Sequence, residues 1–372
     1  MDLGSLFRHS LPGAVNDSGE AAFYVLPKGS LDSPLLLPGV GYVASPFANP
    51  QSWTILPNVG PYVYIYDINN SGAVIGGSGL RSYLFRDGWQ SEITSHSHEF
   101  LDAKSINNDG QIVGSASTDD GERGFIWNNT EDVVFLGTLG GRNSVAFGVN
   151  NHSIVVGASD TGIQDGASPI WEAFVCQNGS MQGLGTLGGY ASTAFAINDS
   201  GVVVGEAQTA DREVHAFVYD PVHGMQDLGI PGVESVALDI NNAGWIVGAA
   251  GDLGGNTRAF VYSPAGDRWF LDELIPSNSP WQRLISAKSI NSGGQILGQG
   301  LINNELHVFL ATPSPEPSAV FLLGMALPKF YQLTRLRQKR QRVAQLAYST
   351  TRVVQRQEVP ALTHEMKLQA SE

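Results

Sequence analysis

The side chains with metal-binding potential are scattered along this 372-residue chain. His96, His98 and Glu99 bring two imidazoles and a carboxylate together, but no further ligand is in view, which favours a solvated loop over a metal site. Loop carboxylates could offer oxygen ligands to Ca²⁺. They are Asp119, Asp120, Glu122, Asp160, Asp165 and Asp252. Because no D-x-D-x-D-G loop is present, surface charge is the favoured interpretation. No metal or other cofactor is predicted, and Ca²⁺ is the one alternative kept open.

The candidates for catalysis are equally isolated. Cys176 is the single cysteine, and its place beside Phe174 and Val175 favours a small buried residue over a nucleophile. His215 and His307 each begin an apolar segment, and we interpret them as structural, bonded to a neighbouring repeat. Linear spacing yields no Ser-His-Asp set and no carboxylate pair, so no catalytic residue is predicted.

A short phrase that returns seven times organises the chain. It contains a small apolar residue, Val or Ile, an Asn, two or three polar or small residues, and a β-branched run that usually ends in Gly; Ala196–Gly205 is its clearest copy. Its Asn residues are Asn16, Asn69, Asn107, Asn150, Asn198, Asn241 and Asn291. The step runs from 38 residues (69 to 107) to 53 (16 to 69), a period typical of repeat architectures.

Each copy predicts a strand, a tight turn and a second strand. An Asn that opens a type I turn accepts hydrogen bonds from the backbone two residues on, and a Gly three residues later can adopt positive φ. The predicted turn pairs are Asn69 with Gly72, Asn107 with Gly110, Asn198 with Gly201, Asn241 with Gly244, and Asn291 with Gly294. The copy at Asn150 has Ser153 in place of Gly, so its turn must be built differently or with strain.

Two further elements complete most repeats. A third strand is predicted around an aromatic residue with apolar flanks, as in Ala216-Phe217-Val218. A fourth strand is predicted at Leu136–Gly141, at Leu184–Gly189 and around Leu228. The Gly-Gly pairs of the first two segments recur with the repeat, which favours turns over a phosphate-binding loop. Four short strands in 40 to 50 residues match one β-propeller blade.

These elements predict an all-β fold, a seven-bladed β-propeller. The last repeat lacks the fourth element, and Met1–Leu6 resembles it, so we expect the first residues to supply that strand and close the ring. An open β-solenoid is less favoured. A misassigned start, which would make Met1–Leu6 the remnant of a truncated repeat, stays open.

The charge is unevenly placed. Residues before Pro313 hold 12 Lys and Arg against 31 Asp and Glu, a net charge of −19, while the remainder holds 9 against 4, a net of +5. An acidic body argues against nucleic acid as a partner, because phosphate binding needs a basic surface. Met1–Glu20 contains no apolar stretch of the length of a secretory signal.

The C-terminal part predicts a different organisation. A Pro-rich spacer with Pro315, Glu316 and Pro317 precedes an apolar run at Ala319–Leu327, too short to span a bilayer alone. A basic cluster follows: Arg335, Arg337, Lys339, Arg340 and Arg342. This order is that of a membrane-retention signal, and the alternative is a short hydrophobic hinge before a solvated basic helix.

Two family resemblances rest on these residues. The repeated phrases, with His215-Ala216-Phe217 and Leu184-Gly185-Thr186-Leu187-Gly188-Gly189, resemble the HAF family of probable extracellular repeats. Pro315-Glu316-Pro317-Ser318 with its apolar segment and Arg cluster resembles the PEP-CTERM sorting signal of Gram-negative bacteria, which an exosortase recognises and processes. Departures from that signal are the interruption at Pro328-Lys329, the residues beyond Arg342 and the absence of a visible leader.

The predicted organisation is a propeller at 1–311, a spacer at 312–318, a short hydrophobic sorting or anchor segment at 319–334, and a basic tail at 335–372, helical or disordered. The resemblances imply an extracellular or cell-surface protein, transiently anchored in the membrane, with a binding or structural role in an exopolysaccharide layer. A glycan or a surface protein is its expected partner. A propeller-fold polysaccharide hydrolase or lyase and a cytoplasmic protein-interaction scaffold are the alternatives.

Overall fold

The computed structural model describes residues 7–27, 40–44, 53–57, 64–78, 81–95, 100–128, 133–166, 168–251 and 256–313, together with strands at 320–324 and 368–371. These residues form a seven-bladed β-propeller, which confirms the predicted fold class. Within each blade the strands pair in sequence order as an antiparallel sheet. The described residues contain one short 3-10 turn, Leu271–Glu273, and no α-helix.

The seven blades each take four consecutive strands. Blade 1 contains β1 (Phe7–Val15), β2 (Ala21–Pro27), β3 (Val40–Ala44) and β4 (Thr54–Ile55). Blade 2 contains β5 (Tyr64–Ile68), β6 (Val74–Ser78), β7 (Arg81–Arg86) and β8 (Trp89–Glu92). Blade 3 contains β9 (Leu101–Ile106), β10 (Ile112–Thr118), β11 (Gly121–Trp127) and β12 (Val133–Phe135). Blade 4 contains β13 (Ser144–Val149), β14 (Val155–Asp165), β15 (Ser168–Gln177) and β16 (Ser180–Gly183). Blade 5 contains β17 (Gly188–Ile197), β18 (Val203–Thr209), β19 (Val214–Asp220) and β20 (Gly224–Asp227). Blade 6 contains β21 (Glu234–Ile240), β22 (Ile246–Gly251), β23 (Thr257–Tyr262) and β24 (Arg268–Phe270). Blade 7 contains β25 (Arg283–Ile290), β26 (Ile296–Ile302), β27 (Glu305–Pro313) and β28 (Val320–Gly324).

The hydrophobic core lies between neighbouring blades. Phe217, on the third strand of blade 5, is fully buried and packs with Ala173 and Leu184 of blade 4. Phe125, Phe174, Phe260 and Phe309 are likewise fully buried. Because each blade covers one face of the next, the second strands are apolar on both faces, as their continuous Val and Ile runs indicate.

A Gly in the second strand makes room for this Phe. Gly205 is the cross-strand partner of Phe217, and a Cβ at Gly205 would lie 2.8 Å from the Phe217 ring and 2.0 Å from the Thr193 carbonyl oxygen. The same Gly–Phe pairing recurs at Gly157 with Phe174, Gly248 with Phe260, and Gly298 with Phe309. The Gly that ends the β-branched run is therefore a packing requirement.

The predicted fourth element is displaced. The outermost strands of blades 3 and 4 are Val133–Phe135 and Ser180–Gly183, just before the Leu-Gly-Thr-Leu-Gly-Gly phrases. Those phrases lead from the outer edge of one blade towards the first strand of the next. Their first Leu adds one last bond to the sheet, since Leu184 N–H donates to the Ala173 carbonyl. The Gly that follows, Gly185, has φ +81°, which ends the strand.

The last blade differs from the prediction. Met1–Leu6 lie outside the described residues, and the fourth strand of blade 7 is β28, antiparallel to β27. The run Val320-Phe321-Leu322-Leu323 is rich in strand-forming residues and follows β27 after six residues, a length that lets the chain return as a hairpin. Blade 1 meets blade 7 through β1, whose Ser10 Oγ accepts a hydrogen bond from Val308 N–H at 2.9 Å.

The predicted anchor and tail change accordingly. Part of the 319–334 segment is strand β28, and residues 368–371, expected in a helical or disordered tail, form a strand, β29 (Leu368–Ser371), parallel to β28. The sorting residues fall outside the described residues: Pro315, Glu316, Pro317, Arg335, Arg337, Lys339 and Arg340. Within the described parts of the chain, no helix has the length and apolar character needed to cross a membrane.

Candidate functional site at the channel mouth

The repeated Asn residues form a closed ring around the propeller axis. This inner ring consists of Asn16, Asn69, Asn107, Asn150, Asn198, Asn241 and Asn291. Each Nδ2 donates to the carbonyl oxygen of the Asn in the next blade, at 2.8 to 3.2 Å. Each Oδ1 accepts from the backbone N–H four residues later in its own turn. Every Asn side chain therefore holds its own turn and the neighbouring blade.

The turn glycines have the backbone that the sequence pattern requires. In the structure Gly72, Gly110, Gly201, Gly244 and Gly294 have φ between +75° and +82°. Their N–H groups donate to the carbonyls of Asn69, Asn107, Asn198, Asn241 and Asn291 respectively. At Asn150 the same turn is built with Ser153 at φ +59°, so the irregular copy carries left-handed strain.

A second ring of polar residues lies at the rim of the channel. This outer ring consists of the residues that follow the inner-ring Asn: Asp17, Asn70, Asn108, Asn151, Asp199, Asn242 and Ser292. In six blades the backbone N–H of the outer-ring residue donates to a side-chain Oδ1 of the next blade, at 2.8 to 2.9 Å. The seventh link is missing among the described residues, because Ser292 has no Oδ1 and its shorter hydroxyl side chain makes no hydrogen bond with the Asn242 N–H.

Two carboxylates strengthen the outer ring. Asp17 accepts from Ser292 N–H and from Asn70 Nδ2. Asp199 accepts from Asn151, and also from Asn242 Nδ2 at 2.8 Å. Burial opposes ionisation of each group, but the hydrogen bonds outweigh it and lower both pKa values, so Asp17 and Asp199 are ionised at neutral pH.

Two deeper carboxylates join blades below the rings. Asp67 of blade 2 accepts from Ser105 Oγ and Ile106 N–H of blade 3, each at 2.9 Å. Asp239 of blade 6 accepts from Ile290 N–H of blade 7 at 2.8 Å. Both residues are half-buried and line the cavity at the channel mouth. Burial raises the pKa of Asp67, and it raises that of Asp239 to about 6, with the Asp67 charge adding to the effect.

The two rings enclose a cavity of about 180 Å³ at the channel mouth. Three consecutive residues of every repeat line it, the Val or Ile, the inner-ring Asn and the outer-ring residue, with Asp67, Asp239 and Ser289 deeper. Four carboxylates and no Lys or Arg face this cavity among the described residues. Such a surface can hydrogen-bond a polar group and repels an anion.

The other residues considered from the sequence lie apart from the cavity. Cys176 is buried, and burial raises the pKa of its thiol. His215 Nδ1 lies 2.7 Å from Asp227 Oδ2 of its own blade, a bond that raises the imidazole pKa. His307 is buried beside the ring of Trp281.

The metal candidates of the sequence lie only partly within the described residues. His96, His98, Glu99 and Asp252 fall outside the described residues. Across the described part of the chain, no three His, Cys, Asp or Glu side chains are grouped as a metal site requires.

The sequence interpretation placed the inner-ring Asn in turns but missed their bonds between blades, as well as the whole outer ring, Asp67 and Asp239. The sequence did contain a sign of the outer ring. The residue after each inner-ring Asn is Asp, Asn or Ser in all seven copies, although a turn alone accepts many residues there.

Comparisons with known proteins agree with the propeller fold and give a family match over part of the chain. Residues 143–309 match the model of a family described as "Protein of unknown function (DUF3466)". No curated protein sequence matches the chain.

Among solved structures, a mutant puromycin hydrolase in complex with PGG superimposes with a TM-score of 0.55 at 12% identity, over 89% of this chain and 55% of the hydrolase. A TolB protein from Acinetobacter baumannii gives 0.46 at 17% identity, over 69% of this chain and 63% of TolB. A putative TolB from Agrobacterium tumefaciens gives 0.47 at 9%, over 59% and 84%. At these identities the likeness concerns the propeller fold alone.

Proposed function

We propose that this chain is an exported bacterial protein of the cell surface or extracellular space, with a binding or structural role in an exopolysaccharide layer. The observation that carries the binding role is the channel mouth. Its amides and carboxylates are fixed by two rings of hydrogen bonds before any ligand arrives. A polar site that is already ordered loses little conformational entropy on binding, so its hydrogen bonds contribute to affinity.

The location rests on the family resemblances. The repeats resemble the HAF extracellular repeats, and the segment around Pro315, Glu316 and Pro317 with its Arg cluster resembles an exosortase-processed sorting signal. On this hypothesis the partners are a glycan or surface protein at the channel mouth, the exosortase-type machinery, and the membrane through the C-terminal segment. The acidic body is compatible with a soluble exported protein and argues against nucleic acid.

The location can be tested by fractionating the native bacterium with an antibody against the propeller. We expect the protein in the extracellular or surface fraction, and accumulation in the membrane when Pro315, Glu316 and Pro317 are all replaced by Ala. Replacing the nearby Pro313 alone is the matched control. Recovery of both forms from the cytoplasm would contradict export and favour an intracellular scaffold.

The binding role can be tested on the purified full-length chain. We expect the wild type to co-sediment with exopolysaccharide isolated from the same cells, and not with polygalacturonic acid, an anionic polymer that the acidic channel mouth repels. Failure to sediment with any isolated surface polymer would contradict the role in the matrix.

A polysaccharide hydrolase or lyase is the second candidate, because one observation favours it. Asp239 faces the channel with a pKa of about 6, a value suited to proton transfer near neutral pH. Release of new reducing ends from the exopolysaccharide, lost in Asp239→Asn, would support this candidate. Intact polymer after prolonged incubation would leave binding as the function.

A further inference from the structure

The outer ring is interrupted at one place, between blades 6 and 7. The N–H of Asn242 occupies the same turn position as the six outer-ring N–H groups that donate to an Oδ1 of the next blade. Among the described residues, however, the Asn242 N–H has no acceptor. The side chain that would accept is a serine, Ser292, whose hydroxyl replaces a carbonyl. The interruption therefore leaves one main-chain donor and one hydroxyl open towards the channel mouth.

A carboxylate lies on each side of the interruption. Asp199 binds Asn242 Nδ2 at 2.8 Å, and Asp17 binds Ser292 N–H at 2.8 Å. Four groups therefore follow one another around the rim: the Asp199 carboxylate, the open N–H of Asn242, the Ser292 hydroxyl and the Asp17 carboxylate. A group that fits this order must accept one hydrogen bond and donate others, and must not be an anion, because both carboxylates are ionised.

Vicinal hydroxyl groups of a sugar meet these requirements, since each hydroxyl accepts and donates. A sugar carboxylate would meet the repulsion of the acidic rim. The cavity of about 180 Å³ is also smaller than a typical ligand pocket of ~300–1,000 Å³, so it admits one end group and not an oligosaccharide lying across the channel.

We propose that the interruption between Asn242 and Ser292 is a binding subsite for a terminal sugar unit that carries no carboxylate. This inference rests on the proposed glycan-binding role and specifies its site. The ligand's hydroxyl occupies the position that an Asn or Asp side-chain oxygen holds in the other blades, and so completes the outer ring.

The decisive variant is Ser292→Asn, because it supplies the missing Oδ1 from the protein itself. Asn is present at this turn position in four other blades, so the fold accommodates it. We expect the variant to close the ring, to unfold at the same or a higher temperature, and to bind the sugar at least tenfold more weakly. Ser200→Asn, which adds the same side chain at an exposed turn position of blade 5, is the matched control and should bind as the wild type does.

The probes are glucose, galactose, mannose and glucosamine, each compared with glucuronic and galacturonic acid, by saturation-transfer NMR and by displacement of the exopolysaccharide. At least one of the first four should bind, and both acids should bind more weakly than that sugar does. Unchanged affinity in Ser292→Asn, or acids that bind as tightly, would overturn the subsite.

Failure of the subsite and failure of the proposed function are distinguishable. If the wild type sediments with exopolysaccharide and Ser292→Asn does so equally well, the subsite is wrong and the binding role survives. If the wild type binds neither the polymer nor any of the monosaccharides, the glycan-binding role fails and the subsite fails with it.

Discussion

Asn291 Nδ2 of the last blade donates a 2.8 Å hydrogen bond to the carbonyl oxygen of Asn16 in the first blade. The two residues are 275 positions apart, so this bond joins the ends of the propeller. It is also one of seven equivalent bonds, because the same pair of groups meets at every blade boundary. Ring closure therefore uses the same contact that joins consecutive repeats.

The inner ring predicts that Asn198→Asp is destabilising. An Asp retains the oxygen that holds the turn but has no N–H to donate to Asn241, and it places a carboxylate beside that carbonyl. We expect the free energy of unfolding to fall by about 1–3 kcal/mol in urea titrations, the cost of a buried group left without its partner. Asn178→Asp, in an exposed hairpin turn with φ +52°, is the control and should change it little. Equal midpoints for both variants would contradict the role of the ring.

The turn geometry predicts a pure backbone effect at Gly201. This residue has φ +81°, and nothing lies within 4 Å of an added Cβ, so crowding contributes nothing. Gly201→Val should reduce stability by about 1 kcal/mol or more, because a β-branched residue is forced to positive φ. Gly201→Asn should cost clearly less, since Asn tolerates that region. Thermal unfolding that does not separate the two substitutions would show that the left-handed backbone is unimportant there.

The sequence was sufficient for the fold but not for the site, for a physical reason. Strand, turn and period are local properties, and Ala196–Gly205 already contains them. The bond from Asn198 to Asn241 depends on how blades stack, which one repeat does not contain. A turn accepts Asp or Asn equally well, so the use of Asn in all seven copies was the available sign of a donor reaching outward.

The ends of the chain were harder to predict for a different reason. Met1–Leu6 resembles a fourth strand, and Val320–Gly324 is an apolar run that resembles part of a sorting signal. Which of the two segments completes blade 7 depends on which one reaches β27. Hairpin length favoured the second.

The Gly–Phe pairing predicts that Gly205→Ala is strongly destabilising. Its Cβ would approach the Thr193 carbonyl oxygen to 2.0 Å, and a main-chain atom cannot move aside as a side chain can. We expect a loss of about 1–3 kcal/mol in urea titrations, the range for overpacked cores, and no rescue when Phe217 is shortened to Leu. Gly251→Ala, where the nearest atom lies 3.9 Å away, is the matched control. Rescue by Phe217→Leu would mean that the ring, and not the backbone, limits the space.

The half-buried carboxylate of Asp239 predicts a pH dependence of stability with a defined sign. Its pKa is raised from 3.8 to about 6 in the folded protein, so the folded state binds a proton more tightly than the unfolded state does. Stability linked to this group therefore increases as the pH falls from about 7 towards 4, by at most about 3 kcal/mol at 1.36 kcal/mol per pKa unit, and channel water reduces that figure. The lowered pKa values of Asp17 and Asp199 have the opposite effect, because the stability linked to these groups is lost on acidification. That loss occurs only below their ordinary pKa of 3.8, so the two effects occupy different pH ranges. Urea titrations of the wild type and Asp239→Asn from pH 4 to pH 7 isolate the contribution. The stability of the wild type relative to the variant should rise on acidification, and a difference that is flat or of opposite slope would mean that Asp239 is ionised in the folded channel throughout this range.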